Sequence, residues 1–370
     1  MFNRHDSGVL AKWWRSIDKT LFFLGLILLV GGNLFNLLST STVASEKLYD
    51  SRYFLFYKHI FFSFAGLSIL IFFSFINKNK IKLYGIVGFV FFVLLLIFVY
   101  FAGVEVKGSK RWLNLIFFRI QPVEFVKPFL ILVISLILSS SKYSLNTRFF
   151  LTCPFVIFSV TLLLIQPDYS QSLLIIIIWM IVVFASGISF LFISSIGSIL
   201  VMLMISVLFF FKNKFFYIFD RIVSWVSEAE VSYQSEQALN AIISGGFFGR
   251  GIGEGILKES VPEAHTDYVM SVIAEEYGIV TVLLIISITM FLVIKIFALA
   301  NNSSNNFFKL SLIGVSSLLA LQSFINLGVT INILPSTGMP FPFISYGGSS
   351  IMGSSIALGL VLLLSKDEQV

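Results

Sequence analysis

Charge is scarce in this chain. Of its 370 residues only 12% are charged, 57% are hydrophobic and the mean hydropathy is +0.96. A soluble domain carries about a quarter charged residues. This chain cannot cover a water-facing globule, so most of it must be solvated by lipid. Cysteine is almost missing. Cys153 stands alone in an apolar run, which excludes a disulfide framework and a cysteine-based metal site. It reads as a small buried hydrophobe. Tandem repeats and low-complexity linkers are missing too, apart from the short polar stretch Asn301–Asn306. No Gly-Lys-Ser/Thr phosphate loop and no βαβ unit surround Gly249, Gly251, Gly253 and Gly255, so these glycines do not mark a nucleotide site. They suit a backbone loop that needs unusual φ/ψ values. The formal net charge of +6 fits basic loops that orient a membrane protein and makes no case for nucleic acid. Phenylalanine, by contrast, is abundant at 43 residues and suits lipid-facing helices.

The expected fold is all-α, a polytopic integral membrane protein with about ten spans, each needing roughly 17–25 apolar residues. The spans centre on Leu21–Leu38, Tyr57–Ile76, Leu83–Phe101, Pro122–Leu138, Phe149–Ile165, Gln171–Gly187, Phe190–Phe211, Tyr268–Ile296, Phe307–Ile331 and Ser345–Leu364. Pro167, between the fifth and sixth, argues against one long helix. The first span reads as an uncleaved anchor. Arg4, Lys12, Arg15, Lys19, Lys78, Lys80, Lys82, Lys142 and Arg148 flank one side. By the positive-inside rule that side, with both termini, is cytoplasmic. The expected layout is one membrane domain over 1–370, with a cytoplasmic segment 1–20 and a tail 366–370. The large extracytoplasmic loop 212–267 lies between spans seven and eight. A loop this long is usually functional. Phe215, Phe219, Ile222 and Trp225 recur at helical spacing in it, as in an amphipathic surface helix. A second short helix is expected over Ser235–Ile243.

Charges at membrane depth are costly, so each is a candidate for function. They gather in three clusters. In GSKRWLNLIFFRIQPVEFVKP, Pro122 suits a first helical turn, and Gln121, Glu124, Lys127 and Pro128 share a face. Either Glu124 and Lys127 neutralise each other, with Arg119 as an interfacial anchor, or the cations bind a phosphate-bearing lipid headgroup. In the second cluster, Glu259, Glu263, His265 and Asp267 lie close together before the eighth span. Asp267 is either a helix N-cap or, with its neighbours, a general base or cation ligand. In the third, NILPSTGMPFPFISYGGSS, three prolines and a Gly-Gly pair break an apolar region. Irregular backbone at membrane depth belongs against protein or a polar cavity. The sequence offers no Ser–His–Asp triad and no Cys nucleophile.

These segments together resemble the SEDS family (shape, elongation, division and sporulation) over nearly the whole chain. The resemblance is carried by KRWLNL, RIQPVEFVK, QPD, YQSEQALNAIISGGFFGRGIGEG, PEAHTDYVMSVIAEEYG and LPSTGMPFPFISYGGSS. PEAHTD, PFISYGGSS and the opening WWRSIDKTL look like the division member of the family rather than the elongation member. One departure is visible: the family's usual Leu-Gly-Thr after QPD is Tyr169-Ser170-Gln171 here. The resemblance implies a peptidoglycan glycosyltransferase that polymerises lipid II at the septum of the bacterial plasma membrane and releases undecaprenyl diphosphate. It implies a class B penicillin-binding protein, a transpeptidase, as partner, among other division-complex membrane proteins. Asp267 falls on the family's essential acidic position and Glu259 on another. Arg119 and Lys127 fall on its basic pair. Arg111 and His265 are further candidates for contact with substrate, and a divalent cation such as Mg could sit on Asp267. A lipid II flippase, an elongation polymerase and a recruiting scaffold are the competing readings.

Overall fold

The computed structural model describes residues 8–40, 53–106, 109–115, 118–189, 191–192, 194–199, 202, 206, 233–257, 260–261 and 263–366. A short surface helix α1 (Val9–Ser16) leads into α2 (Lys19–Thr40), α3 (Phe54–Phe75) and α4 (Ile81–Ala102). Three short strands follow: β1 (Val104–Val106), β2 (Ser109–Asn114) and β3 (Arg119–Ile120). Then come α5 (Val123–Leu138), α6 (Leu145–Ile165), α7 (Tyr169–Ala185) and α8 (Tyr233–Gly245). The chain closes with α9 (Val269–Tyr277), α10 (Ile279–Asn302), α11 (Asn306–Thr330) and α12 (Gly348–Leu364).

Each expected span except the seventh is matched by helix. Phe190–Phe211 falls largely outside the described residues, as does the expected amphipathic helix around Phe215–Trp225. The short helix expected at Ser235–Ile243 is α8. Among the described residues six helices are long and apolar enough to cross a membrane, and α7 and α12 are shorter apolar ones. The chain is a multi-pass membrane protein.

Two features depart from the expectation. The eighth span is not one helix. Gly278, at φ +82, ends α9 and starts α10, and a Cβ there would run into the Phe247 carbonyl. Only glycine fits that break. The KRWLNL segment is strand in a fold expected to be all-α. β2 pairs antiparallel with both β1 and β3, setting Asn114 opposite Arg119.

Burial sorts the helices into two rings. Every residue of α12 is buried, as is nearly all of α5. α2, α3, α4, α6 and α10 bury only about a third of their apolar windows and turn the rest to lipid. Apolar burial cannot drive association inside a bilayer, so close backbone approach and polar contacts must hold the inner ring. Small residues provide the approach. A Cβ on Gly353 would lie 2.7 Å from the Glu124 carbonyl, and one on Gly359 would lie 2.7 Å from that of Leu70. α12 is thereby seated against α5 and α3.

Candidate functional site

The three motif clusters meet at one end of the bundle. The first and third are joined where the Gln121 backbone N–H donates to Ser349 Oγ at 2.8 Å. The second and third are joined where the Tyr346 N–H donates to the His265 carbonyl at 2.9 Å, with the two rings edge-on at 5.7 Å. Asn326, buried on α11, supplies the remaining link. Its Nδ2 donates to the Asp267 carbonyl and to the Met339 carbonyl, both at 2.8 Å. The backbone at Gly338 passes close to the Asp267 carboxylate: a Cβ there would lie 3.8 Å from Oδ2. Asp267 and His265 therefore sit on a loop pinned between α11 and the proline-rich segment.

That segment is itself strained and braced. Phe343 is buried at φ +65, a left-handed conformation unusual for a bulky residue. Such strain persists only where neighbours over-determine it and is commonest at functional sites. Asn36 donates to the Ile344 carbonyl at 2.6 Å, and its amide lies 3.4 Å from His59 Nε2. His59 is fully buried, and its ring lies 5.9 Å from Tyr346.

Asp267 is not the N-cap of a transmembrane helix. The residue at the N-cap of α9 is Tyr268, and no side chain caps it. Glu263 accepts from the Thr266 hydroxyl at 3.1 Å. Glu259 lies outside the described residues.

The cations have separate places. Lys127 and Glu124 are both buried and 2.8 Å apart, and Gln171 completes the group. It accepts from Lys127 at 3.1 Å and donates to Glu124 at 2.9 Å. The self-neutralising pair is thus present, and the departure at Gln171 closes it. Arg111 spends its guanidinium on the turn before α7. Its Nη1 lies 3.6 Å from Asp168, and Nε and Nη2 donate to the carbonyls of Gln166 and Pro167. Burial pushes the Asp168 carboxyl above the usual carboxylate range, and Arg111 pulls it back. Gln121 donates to the same carboxylate at 3.2 Å.

Arg119 is exposed on β3. Beside it the Phe118 ring packs on Phe62 at 5.7 Å and Phe61 at 6.4 Å. That contact brings β3 against α3, one turn from half-buried Lys58. Arg119 and Lys58, two cations at this end of the bundle, suit a polyanionic ligand. Sequence reasoning missed Lys58, Asn36, His59 and Asn326. Their signal was a polar side chain within an apolar span.

Among the described residues, no group of three or more His, Cys, Asp or Glu side chains is placed to hold a metal ion. A divalent cation on Asp267 would take its other ligands from substrate oxygens, as magnesium commonly does.

Comparison with known proteins agrees with this architecture. The cell cycle protein family FtsW/RodA/SpoVE matches residues 19–370. The chain is 31% identical to the "Probable peptidoglycan glycosyltransferase FtsW" of Caulobacter vibrioides, over 98% of this chain and 93% of that protein. Its structure is similar to a chain of a peptidoglycan synthase complex solved for its coordination of polymerization and crosslinking. The TM-score is 0.79 at 26% identity, covering 94% of this chain and 97% of the other. RodA of Thermus thermophilus, a rod shape determining protein, superposes with a TM-score of 0.71 at 26% identity, over 95% of this chain and 97% of that one. With the pinned Asp267 loop, the buried Glu124–Lys127–Gln171 group and a family match over all but the first residues, this chain belongs to the FtsW/RodA/SpoVE family of cell cycle proteins.

Proposed function

We propose that this chain is a peptidoglycan glycosyltransferase that polymerises lipid II during septal wall synthesis, with Asp267 at the reacting centre. The observation that carries this reading is the fastening of Asp267. Asn326, Gly338 and the His265–Tyr346 contact fix one carboxylate-bearing loop at the motif-rich end of the bundle.

In the proposed reaction, the sugar 4-hydroxyl of one lipid II attacks the anomeric carbon of the growing strand. The new bond forms from that oxygen to the anomeric carbon as the bond to the undecaprenyl diphosphate breaks. The hydroxyl proton passes to the Asp267 carboxylate, which acts as general base. Attack opposite the leaving group converts an α-linked donor into a β-linked product. Charge accumulates on the departing diphosphate, and preoriented cations at that point lower the barrier. Arg119, joined by Lys58, has the exposure for this task. Lys127 is paired with Glu124 and holds α5 to α7, while Arg111 holds the Gln166–Asp168 turn.

The whole chain works as one membrane domain of the bacterial plasma membrane at the division septum. Segment 212–267 faces outward and both termini face the cytoplasm. Lys78, Lys80, Lys82, Lys142 and Arg148 at the opposite end support this orientation. The partner is a class B penicillin-binding protein, since polymerised strands must be crosslinked. Similarity to a subunit of a synthase complex supports this pairing. A flippase reading is less well supported. Beyond Ser355 the buried residues of α12 are Ile, Ala, Leu, Gly and Val only, so the polar groups thin out along that helix away from the Asp267 end.

The test is glycan formation from lipid II by the purified protein with its transpeptidase, comparing wild type with Asp267→Asn. Product from wild type alone is expected. Equal product from both removes Asp267 from the chemistry. No product from either, in a folded and assembled complex, moves the assignment to transport.

A further inference from the structure

At the end of the bundle opposite Asp267, a cavity of about 620 Å³ opens between the start of α4, the end of α5 and the first turns of α6. Lys82 and Lys142 both reach it, together with the hydroxyl groups of the Ser139–Ser141 turn and Tyr143. Among the described residues no carboxylate lines it. Its remaining wall includes Leu151 and Phe155, which are 41% and 37% exposed and so continue into the lipid-facing surface of α6. The turn that forms the rim is braced. Arg148 donates from Nε to the Tyr143 carbonyl at 2.8 Å and from Nη1 to the Leu138 carbonyl at 3.2 Å. The Lys82 ammonium also stands 5.6 Å from the centre of the Phe307 ring.

Two ammonium groups and several hydroxyls set above an apolar, lipid-facing wall match one class of ligand. Basic pockets between spans at the cytoplasmic level suit anionic headgroups, and the wall below suits the attached chains. We propose that this cavity holds the phosphate headgroup of an anionic membrane lipid, with Lys82 and Lys142 on the phosphate and the acyl chains along Leu151 and Phe155. The site is separate from the glycosyl-transfer end and stands whether or not that reading does.

The experiment counts lipids retained by the purified full-length chain in native mass spectrometry. Phosphatidylglycerol and phosphatidylcholine of matched chains are titrated against wild type and the Lys82→Gln/Lys142→Gln double variant. Wild type is expected to keep one phosphatidylglycerol that the double variant binds about thirtyfold more weakly, from the charge contribution of two basic residues. Phosphatidylcholine is expected to be held equally weakly by both. Ser140→Phe, which narrows the cavity and keeps both lysines, is expected to weaken retention of the same lipid. Equal retention of phosphatidylglycerol by wild type and both variants overturns the proposal. So does displacement of the lipid by inorganic phosphate at matched concentration, which would mark a site for a free anion.

Discussion

Replacing Asn326 with leucine would keep the volume of the side chain and remove both hydrogen bonds that fasten the Asp267 loop. Nδ2 is the shared donor to the Asp267 and Met339 carbonyls, so two acceptors lose their partner at once. Each buried acceptor left unsatisfied costs about 1–3 kcal/mol. The pair therefore costs roughly 2–6 kcal/mol. That cost falls on the loop, because α11 on either side of Asn326 keeps its own helical hydrogen bonds. A loop released by the lower figure lowers kcat about thirtyfold, at about 1.4 kcal/mol per factor of ten. Asn326 is buried, so direct contact with lipid II is not expected and KM should change little. The assay is the initial rate of glycan formation over a lipid II titration, with thermal unfolding in detergent as the control. Asn326→Asp keeps the shape but turns a carboxylate toward two carbonyls, and it should lose at least as much. A kcat within twofold of wild type in Asn326→Leu would refute the claim that Asn326 positions Asp267. A loss of KM alone would instead place Asn326 against the substrate.

Three further outcomes are expected. Lys127→Met strands the Glu124 carboxylate in the interior and should cost about 3–5 kcal/mol of stability, read as a fall in unfolding temperature; the Glu124→Leu/Lys127→Met double should be milder. Gly353→Ala drives a Cβ toward the Glu124 carbonyl and should destabilise the α5–α12 contact by about 1–3 kcal/mol, whereas alanine at exposed Ser141 should be silent in the same unfolding assay. Lys58→Ala should raise KM for lipid II about tenfold, in line with losing one charge-assisted contact worth about 1.5 kcal/mol, and should flatten the salt dependence of KM. An unchanged KM would remove Lys58 from the diphosphate site.

Sequence alone settled the membrane class, the positions of the described apolar helices and the three motif segments that the fold joins at one end of the bundle. Partition into lipid is a local, nearly additive property of a window of about twenty residues, so each described span could be read without its neighbours. The same locality explains the errors. A nine-residue stretch around Val269–Tyr277 is apolar enough to extend the eighth span, and only its burial and the left-handed Gly278 cut it off. KRWLNL becomes strand because β1 and β3 pair with it, which no local pattern announces. What a membrane-depth charge does depends on what the fold sets beside it. RIQPVEFVK displays Arg119 and Lys127 as equals, yet tertiary packing exposes the first and buries the second between Glu124 and Gln171. Asn326 looked like one polar residue in an apolar span until α11 came to lie against both Asp267 and Met339. Its partners stand far away in the chain, and a directional hydrogen bond exists only once the bundle has closed.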